Sequence, residues 1–179
     1  WPVGVFLGMS DGNVIAHNEI HDMPDYGINL GVNGHGRNIV EFNAIRRVCL
    51  RRSDNAGINV WMDVPRQWIT GVFPETPRSG HIIRYNLITD VVGMRRDRDG
   101  KVHSPVPYNA MGIYLDDYTS NCFVYGNVIV RASTGITVHA GRNNIIENNV
   151  FVDCKWQHSL RDYASGRPGN ETMAGTMTG

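Results

Sequence analysis

At Gly112-Ile113-Tyr114-Leu115 the chain places a glycine, an apolar residue, a variable residue and a second apolar residue in succession. The same pattern recurs at Gly4-Val5-Phe6-Leu7, Gly27-Ile28-Asn29-Leu30, Gly57-Ile58-Asn59-Val60 and Gly135-Ile136-Thr137-Val138. Apolar residues two positions apart are typical of a strand that buries one face. The repeat therefore predicts five equivalent strands, each of which places two apolar side chains in a common core.

A second repeated pattern lies between these copies and consists of a short apolar run, an asparagine and another short apolar run. Examples are Val14–Ile20, Ile39–Ile45 and Ile82–Ile88. Side-chain amides stacked from one repeat to the next can bond to each other and to the backbone at a sharp bend. We therefore predict a structural ladder made of Asn18, Asn43, Asn86, Asn127 and Asn149.

The spacing of the repeats predicts the architecture. The glycines at positions 4, 27, 57, 112 and 135 are 23, 30, 55 and 23 residues apart, and 23 residues suit one coil of three short strands with their turns. Parallel coils stack about 4.8 Å apart and bury a continuous core. The fold class predicted is an all-β solenoid, a parallel β-helix with long loop insertions at residues 46–56, 63–79 and 92–111.

Composition limits the classes of function. The 179 residues carry 17 basic and 17 acidic side chains, which favours neither nucleic acid nor an anionic membrane as a partner. No apolar run approaches the roughly 20 residues that span a bilayer. The three cysteines, Cys49, Cys122 and Cys154, lack the spacing of a zinc site or a disulfide framework.

The domain boundaries follow from the repeats. Residues 1–160 are predicted to form the coils and residues 161–179 an irregular tail rich in Gly, Ser, Thr and Met. Neither end carries an obvious amphipathic cap, and the chain starts without Met. We therefore expect a processed or truncated start and further coils or domains of a longer chain.

Aligning the copies beyond their four shared residues brings Trp61, Asp116 and His139 into one column. Because neighbours along a strand alternate between faces, this column should point outward, away from the core. A second outward column should contain the residues at the variable position, Phe6, Asn29, Asn59, Tyr114 and Thr137.

These side chains suit the chemistry of sugars. Aromatic rings such as those of Trp61 and Tyr114 can stack on a pyranose face. Asp116 and Asp117 are adjacent carboxylates, and hydrolysis of a glycosidic bond usually needs one carboxyl group as an acid and another as a base or nucleophile. His139 completes the predicted catalytic set; the further predicted substrate contacts are Asn59, Asp63 and Arg142.

Asp117 has an alternative role. It can face outward beside Asp116 only if the strand ends there and the chain turns, and residues 118–121 (Tyr-Thr-Ser-Asn) are typical of a turn. Otherwise its carboxylate caps the turn by accepting bonds from backbone N–H groups.

The repeats resemble those of the right-handed parallel β-helix proteins, the pectate-lyase-like superfamily, over about residues 4–160. The Asp116-Asp117 pair resembles the pattern of the β-helix glycoside hydrolases. The resemblance implies acid and base roles for these aspartates, a polysaccharide or oligosaccharide substrate, no cofactor, and an extracellular or periplasmic location. Polygalacturonases carry Gly-His-Gly and Arg-x-Lys after the pair, whereas here Gly34-His35-Gly36 precedes it and no Arg-x-Lys follows.

Two other classes of function remain open. A polysaccharide lyase or epimerase acting on uronates would need a base and a cation, either an arginine such as Arg142 or Ca²⁺ held by Asp63, Asp116 and Asp117. A non-catalytic β-helix that binds glycans or has a structural role would need no paired carboxylates. Sequence reasoning favours the hydrolase and, for that reaction, no metal.

Overall fold

The computed structural model of the protein describes residues 2–31, 36–61, 80–103, 107–117, 119–141 and 143–161. Within these ranges the secondary structure consists of strands, and none of the residues is helical. Of the 18 strands in the described ranges, 16 belong to three parallel sheets, and the remaining two form a short antiparallel hairpin. The predicted all-β solenoid is confirmed.

Each coil contributes one strand to each of the three sheets in turn. The first sheet contains, in order, β1 (Val5–Gly8), β4 (Ile28–Gly31), β7 (Asn55–Trp61), β12 (Ala110–Asp116), β15 (Thr134–His139) and β18 (Trp156–Arg161). The second contains β2 (Val14–Ala16), β5 (Ile39–Glu41), β8 (Ile82–Arg84), β13 (Phe123–Tyr125) and β16 (Ile145–Glu147). The third contains β3 (Glu19–His21), β6 (Ala44–Val48), β9 (Leu87–Val91), β14 (Val128–Val130) and β17 (Val150–Val152).

The glycine-apolar repeat sets the register of the first sheet. Ile58 pairs with Ile28 on one side and with Ile113 on the other, as the alignment of the copies predicts. The repeated glycine is required because the coils approach closely there. A Cβ on Gly57, for example, would lie 2.6 Å from Cγ2 of Ile88 and 2.9 Å from the carbonyl oxygen of Gly112.

The core lies inside the coils and is made of the apolar members of each repeat. Its most buried side chains are those of Ile28, Ile45, Ile58, Ile83, Ile88, Ile113, Leu115, Ile129 and Ile136. Because isoleucines stack on isoleucines from coil to coil, each coil covers the apolar surface of its neighbours.

The asparagine ladder is present at the turn between the second and third sheets. Side-chain amide bonds of 2.9–3.0 Å run from Asn18 to Asn43, Asn86, Asn127 and Asn149 in turn. The residue before each asparagine has a positive φ, between 53° and 65°, which bends the chain from one sheet to the next. The predicted structural role of these asparagines is confirmed.

A second ladder, which sequence reasoning missed, precedes the strands of the second sheet. Asn38 Oδ1 accepts a bond of 3.0 Å from Asn13 Nδ2, and Asn144 Oδ1 accepts one of 2.9 Å from the backbone N–H of Cys122. His81 and Cys122 occupy the two equivalent positions between them. The ladder is thus broken in the middle by an imidazole and a thiol.

Two of the predicted insertions, residues 46–56 and 92–111, overlap regular strands at their ends, because residues 46–48 belong to β6, residues 55–56 to β7 and residues 110–111 to β12. In one of them the antiparallel strands β10 (Arg95–Arg96) and β11 (Val102–His103) form an exposed hairpin, with His103 Nε2 3.0 Å from Asp97 Oδ2. Residues 63–79 and the predicted tail, apart from Arg161, lie outside the described residues. Cys49, Cys122 and Cys154 are free thiols, and the described residues include no helix long and apolar enough to cross a membrane.

Candidate functional site

Polar and aromatic side chains lie at the carboxyl-terminal ends of consecutive strands in the first sheet. Asp116 pairs in register with Trp61, and His139, on the next coil, pairs with Arg161. The column predicted from the sequence is therefore present. The side chains of Asp116 and His139 are 23% and 16% exposed, so both reach solvent at the edge of the sheet.

The turn after β12 brings Asp117 to the same edge. Asp117 has a φ of 35°, and its backbone N–H donates a bond of 2.9 Å to Oδ1 of Asp116. Thr119 Oγ1 donates to the carbonyl oxygen of Asp116 at 2.6 Å. The strand ends at Asp116, and this is the condition under which both aspartates can face outward.

His139 lies between the two carboxylates. Its Nδ1 is 2.8 Å from Oδ1 of Asp116 and 3.7 Å from Oδ1 of Asp117. Because a carboxylate oxygen only accepts, the shorter contact requires a proton on Nδ1. The hydroxyl oxygen of Tyr114 lies 3.3 Å from the same nitrogen, so the Nδ1 proton faces two acceptors, the carboxylate of Asp116 and, at longer distance, the hydroxyl oxygen of Tyr114.

Asp117 has a different partner. Trp61 Nε1, one coil away, donates a bond of 2.7 Å to Oδ2 of Asp117. The two aspartates, adjacent in sequence, therefore lie in different surroundings. Asp116 contacts an imidazole that can carry a charge, whereas Asp117 contacts a neutral indole.

The local electrostatics follow from burial and from like charge. Burial raises the pKa of Asp117, and the negative charge of Asp116 raises it further, against the opposing effect of the Trp61 hydrogen bond. Burial and the charge of Asp116 also raise the pKa of Tyr114, and they raise the pKa of Tyr26 to about 12. Asp117 thus retains a proton to higher pH than an ordinary aspartate.

The second predicted column has the expected register but not the expected exposure. Asn29, Asn59, Tyr114 and Thr137 pair across the first sheet, yet their exposed fractions are 1%, 2%, 2% and 0%. The prediction that they lie open to solvent is wrong, because strand alternation fixes the face of a side chain but not what covers that face. Only Phe6, in the first coil, is open, with 56% of its surface exposed.

This burial affects two of the predicted substrate contacts, Tyr114 and Asn59, whose side chains contact other parts of the protein. Tyr114 packs with Ala56 and Met111 in a cluster separate from the core, and its hydroxyl is directed at His139. Asn59 Nδ2 donates a bond of 3.1 Å to Asn29 Oδ1. Tyr114 therefore supports His139, and the half-buried Trp61 is the aromatic side chain at the edge itself.

Two further predicted substrate contacts, Asp63 and Arg142, lie outside the described residues. Sequence reasoning missed a different carboxylate, the exposed Asp54, whose charge raises the pKa of both Tyr114 and Asp117. Asp54 precedes β7 and is remote from the aspartate pair in sequence, so no local pattern connects them. Thr119, which stands in the predicted turn, was also missed, because its bond to the carbonyl oxygen of Asp116 depends on the geometry of that turn.

The site also contains the one potential cation site among the described residues. One ligand atom each from Asp116, Asp117 and His139 lie within 4.8 Å of one another. Two carboxylates suit Ca²⁺, while the imidazole nitrogen suits a transition metal better. The prediction of a hydrolase without a metal is not tested by this geometry.

The fold and the site together define a class: a β-helix with an acidic site at the edge of one parallel sheet. The family described as the right-handed β-helix region matches residues 3–170, and the chain belongs to it. The coils are thus those of a right-handed parallel β-helix. Neither the curated proteins nor the solved structures include a match to this chain.

Proposed function

We propose that the protein is a glycoside hydrolase that cleaves a polysaccharide or oligosaccharide with Asp116 and Asp117. The observation that carries the proposal is the difference in surroundings between the two adjacent carboxyl groups. Glycoside hydrolysis needs one protonated and one ionised carboxyl group beside the same bond. The different partners of the two groups, Nδ1 of His139 for Asp116 and the indole of Trp61 for Asp117, support different roles for them.

Asp117 is the general acid in this proposal. Burial and the charge of Asp116 raise its pKa, so it keeps to higher pH than an ordinary aspartate the proton that a general acid donates to the oxygen of the leaving sugar. Its side chain is 31% exposed, which leaves it accessible to that oxygen.

Asp116 is the base or nucleophile in this proposal. The Nδ1 proton of His139 bonds to Oδ1 of Asp116 at 2.8 Å and fixes the orientation of the carboxylate. Tyr114, through its contact with His139, is a positioning residue. Trp61 combines two roles: its N–H orients Asp117, and its ring offers an apolar surface for a sugar.

A uronate lyase is the second candidate, and the cluster of Asp116, Asp117 and His139 favours it specifically. A cation held there would neutralise the carboxylate of a uronate and acidify the adjacent C–H group. In that reaction the aspartates would be ligands and would not donate a proton to the leaving group. We further propose an extracellular or periplasmic location, in keeping with a glycan substrate.

The products of the reaction distinguish the two candidates. The protein would be incubated with neutral and uronate polysaccharides, with added Ca²⁺ or with a chelator. New reducing ends would be measured together with the ultraviolet absorbance of unsaturated sugars. We expect new reducing ends without unsaturation, unchanged by the chelator. Unsaturated products that disappear with the chelator would establish the lyase, and the absence of any product would reject both enzymes.

A further inference from the structure

Phe6 is an exposed aromatic side chain on the same face of the first sheet as the aspartate site. It belongs to β1 and pairs in register with Asn29. Although its backbone position is equivalent to that of the buried Tyr114, 56% of its surface is exposed. An apolar ring held open to water on a predicted binding face calls for a physical explanation.

The ring lies across two glycines of neighbouring coils. A Cβ built on Gly8 would lie 2.9 Å from Cε1 of Phe6, and a Cβ built on Gly31 would lie 3.0 Å from Cε2. Since Gly8 and Gly31 are paired in register, the two edges of the ring point along the direction in which the coils stack. The Cε–Cζ end of the ring therefore lies against the two glycines, and 56% of the Phe6 surface faces solvent.

The glycines that make room for the ring occupy the column of the aspartate site. Gly31 pairs with Trp61, and Trp61 pairs with Asp116. At this position the third and fourth coils carry the indole of Trp61 and the carboxylate of Asp116. The first two coils carry glycine there, and the ring of Phe6 fills the space. The line from Phe6 through Trp61 to Asp116 is thus continuous along the coil axis.

We propose that Phe6 is a second sugar-stacking subsite on this face, resting on the proposed function as a glycoside hydrolase. A flat, neutral ring that is 56% exposed suits the C–H groups of a pyranose. Phe6 bridges the first two coils and Asp116 stands on the fourth, so about two and a half coil spacings separate them, roughly 12 Å. That distance exceeds one sugar ring, and the ligand is therefore a chain of several sugars lying along the coil axis.

The test compares Phe6→Ala with the matched control Phe42→Ala. Phe42 is similarly exposed, at 47%, but it stacks between His17 and Tyr85 at the corner of the second and third sheets. The probes are xylo-, manno- and galacturono-oligosaccharides from disaccharide to octasaccharide. Binding is measured by titration calorimetry in the Asp117→Asn background, so that the probes are not consumed.

We expect Phe6→Ala to weaken the binding of the long oligosaccharides about 3- to 10-fold and to leave disaccharide binding unchanged. Phe6→Trp should restore the binding, and Phe42→Ala should have no effect. Equal affinity of Phe6→Ala and its parent for long chains, or an equal loss at every length, would overturn this subsite while leaving the proposed hydrolase intact. If no probe binds and the wild-type chain cleaves no polysaccharide, both proposals fail together.

Discussion

Asp116 and Asp117 show how two identical residues, adjacent in sequence, acquire different surroundings. Each has its own neighbour from another coil: His139 from the coil after and Trp61 from the coil before. These neighbours are on β7 and β15, the strands one coil before and one coil after β12. The identity of the pair could be predicted from the sequence, because Asp-Asp ends a copy of the repeat. The raised pKa of Asp117 depends on burial, which the repeat does not encode.

Replacing Trp61 with Phe should move the pH dependence of activity. Trp61 donates a hydrogen bond to the ionised form of Asp117 and so lowers its pKa against the effect of burial. Without that bond the pKa of Asp117 rises further, and Asp117 keeps its proton to higher pH. We expect the alkaline limb of kcat/KM to move up by about half to one pH unit.

The control for this change is Trp156→Phe, since Trp156 lies in the last coil of the same sheet and is 58% exposed. Its pH profile should match that of the wild type. An alkaline limb of Trp61→Phe that stays in place or moves to lower pH would remove Asp117 from the role of acid.

At the scale of the strand and turn, two kinds of ladder hold each coil on the next. The glycine column lets backbones approach, as at Gly112, where a Cβ would lie 2.5 Å from Cγ2 of Ile129. The amide ladder satisfies buried backbone groups; Asn86 Nδ2, for example, donates a bond of 2.9 Å to the carbonyl oxygen of Val40. Both could be predicted because the same residue type recurs at the same place in each coil. The second ladder escaped prediction because His81 and Cys122 interrupt its pattern.

His81 should make the solenoid sensitive to acid. Burial lowers its pKa from 6.5 to about 4, partly offset by the charge of Asp11. Between these two pH values the unfolded chain binds a proton at His81 and the folded chain does not. The free energy of unfolding should therefore fall as the pH drops from 6.5 to 4, by on the order of 3 kcal/mol from this residue.

His81→Asn would place an amide in the ladder and remove this titration. We expect denaturant unfolding of the variant to depend less on pH between 6.5 and 4. His17→Asn, at an exposed position of positive φ, should keep the slope of the wild type. A slope unchanged by His81→Asn would assign the acid sensitivity to other groups.

At the scale of the whole molecule, the repeat determines the fold and the departures from the repeat form the site. The solenoid and its sheet register follow from apolar residues that recur coil by coil. The site is found where Trp61, Asp116 and His139 replace the small residue of the first two coils. Exposure could not be predicted at this scale, since residues such as Asn59 lie on the outer face and are still buried.

The most direct test of the paired-aspartate site is the activity of Asp116→Asn and Asp117→Asn beside the control Asp153→Asn. Asp153 is exposed and lies in a bend directly after β17. Circular dichroism would establish that all three variants fold, and kcat/KM would be measured on the polysaccharide that the wild-type protein cleaves. We expect each site variant to lose at least about a hundredfold and Asp153→Asn to lose nothing. A folded Asp116→Asn or Asp117→Asn variant with the activity of the wild type would contradict the assignment of the active site.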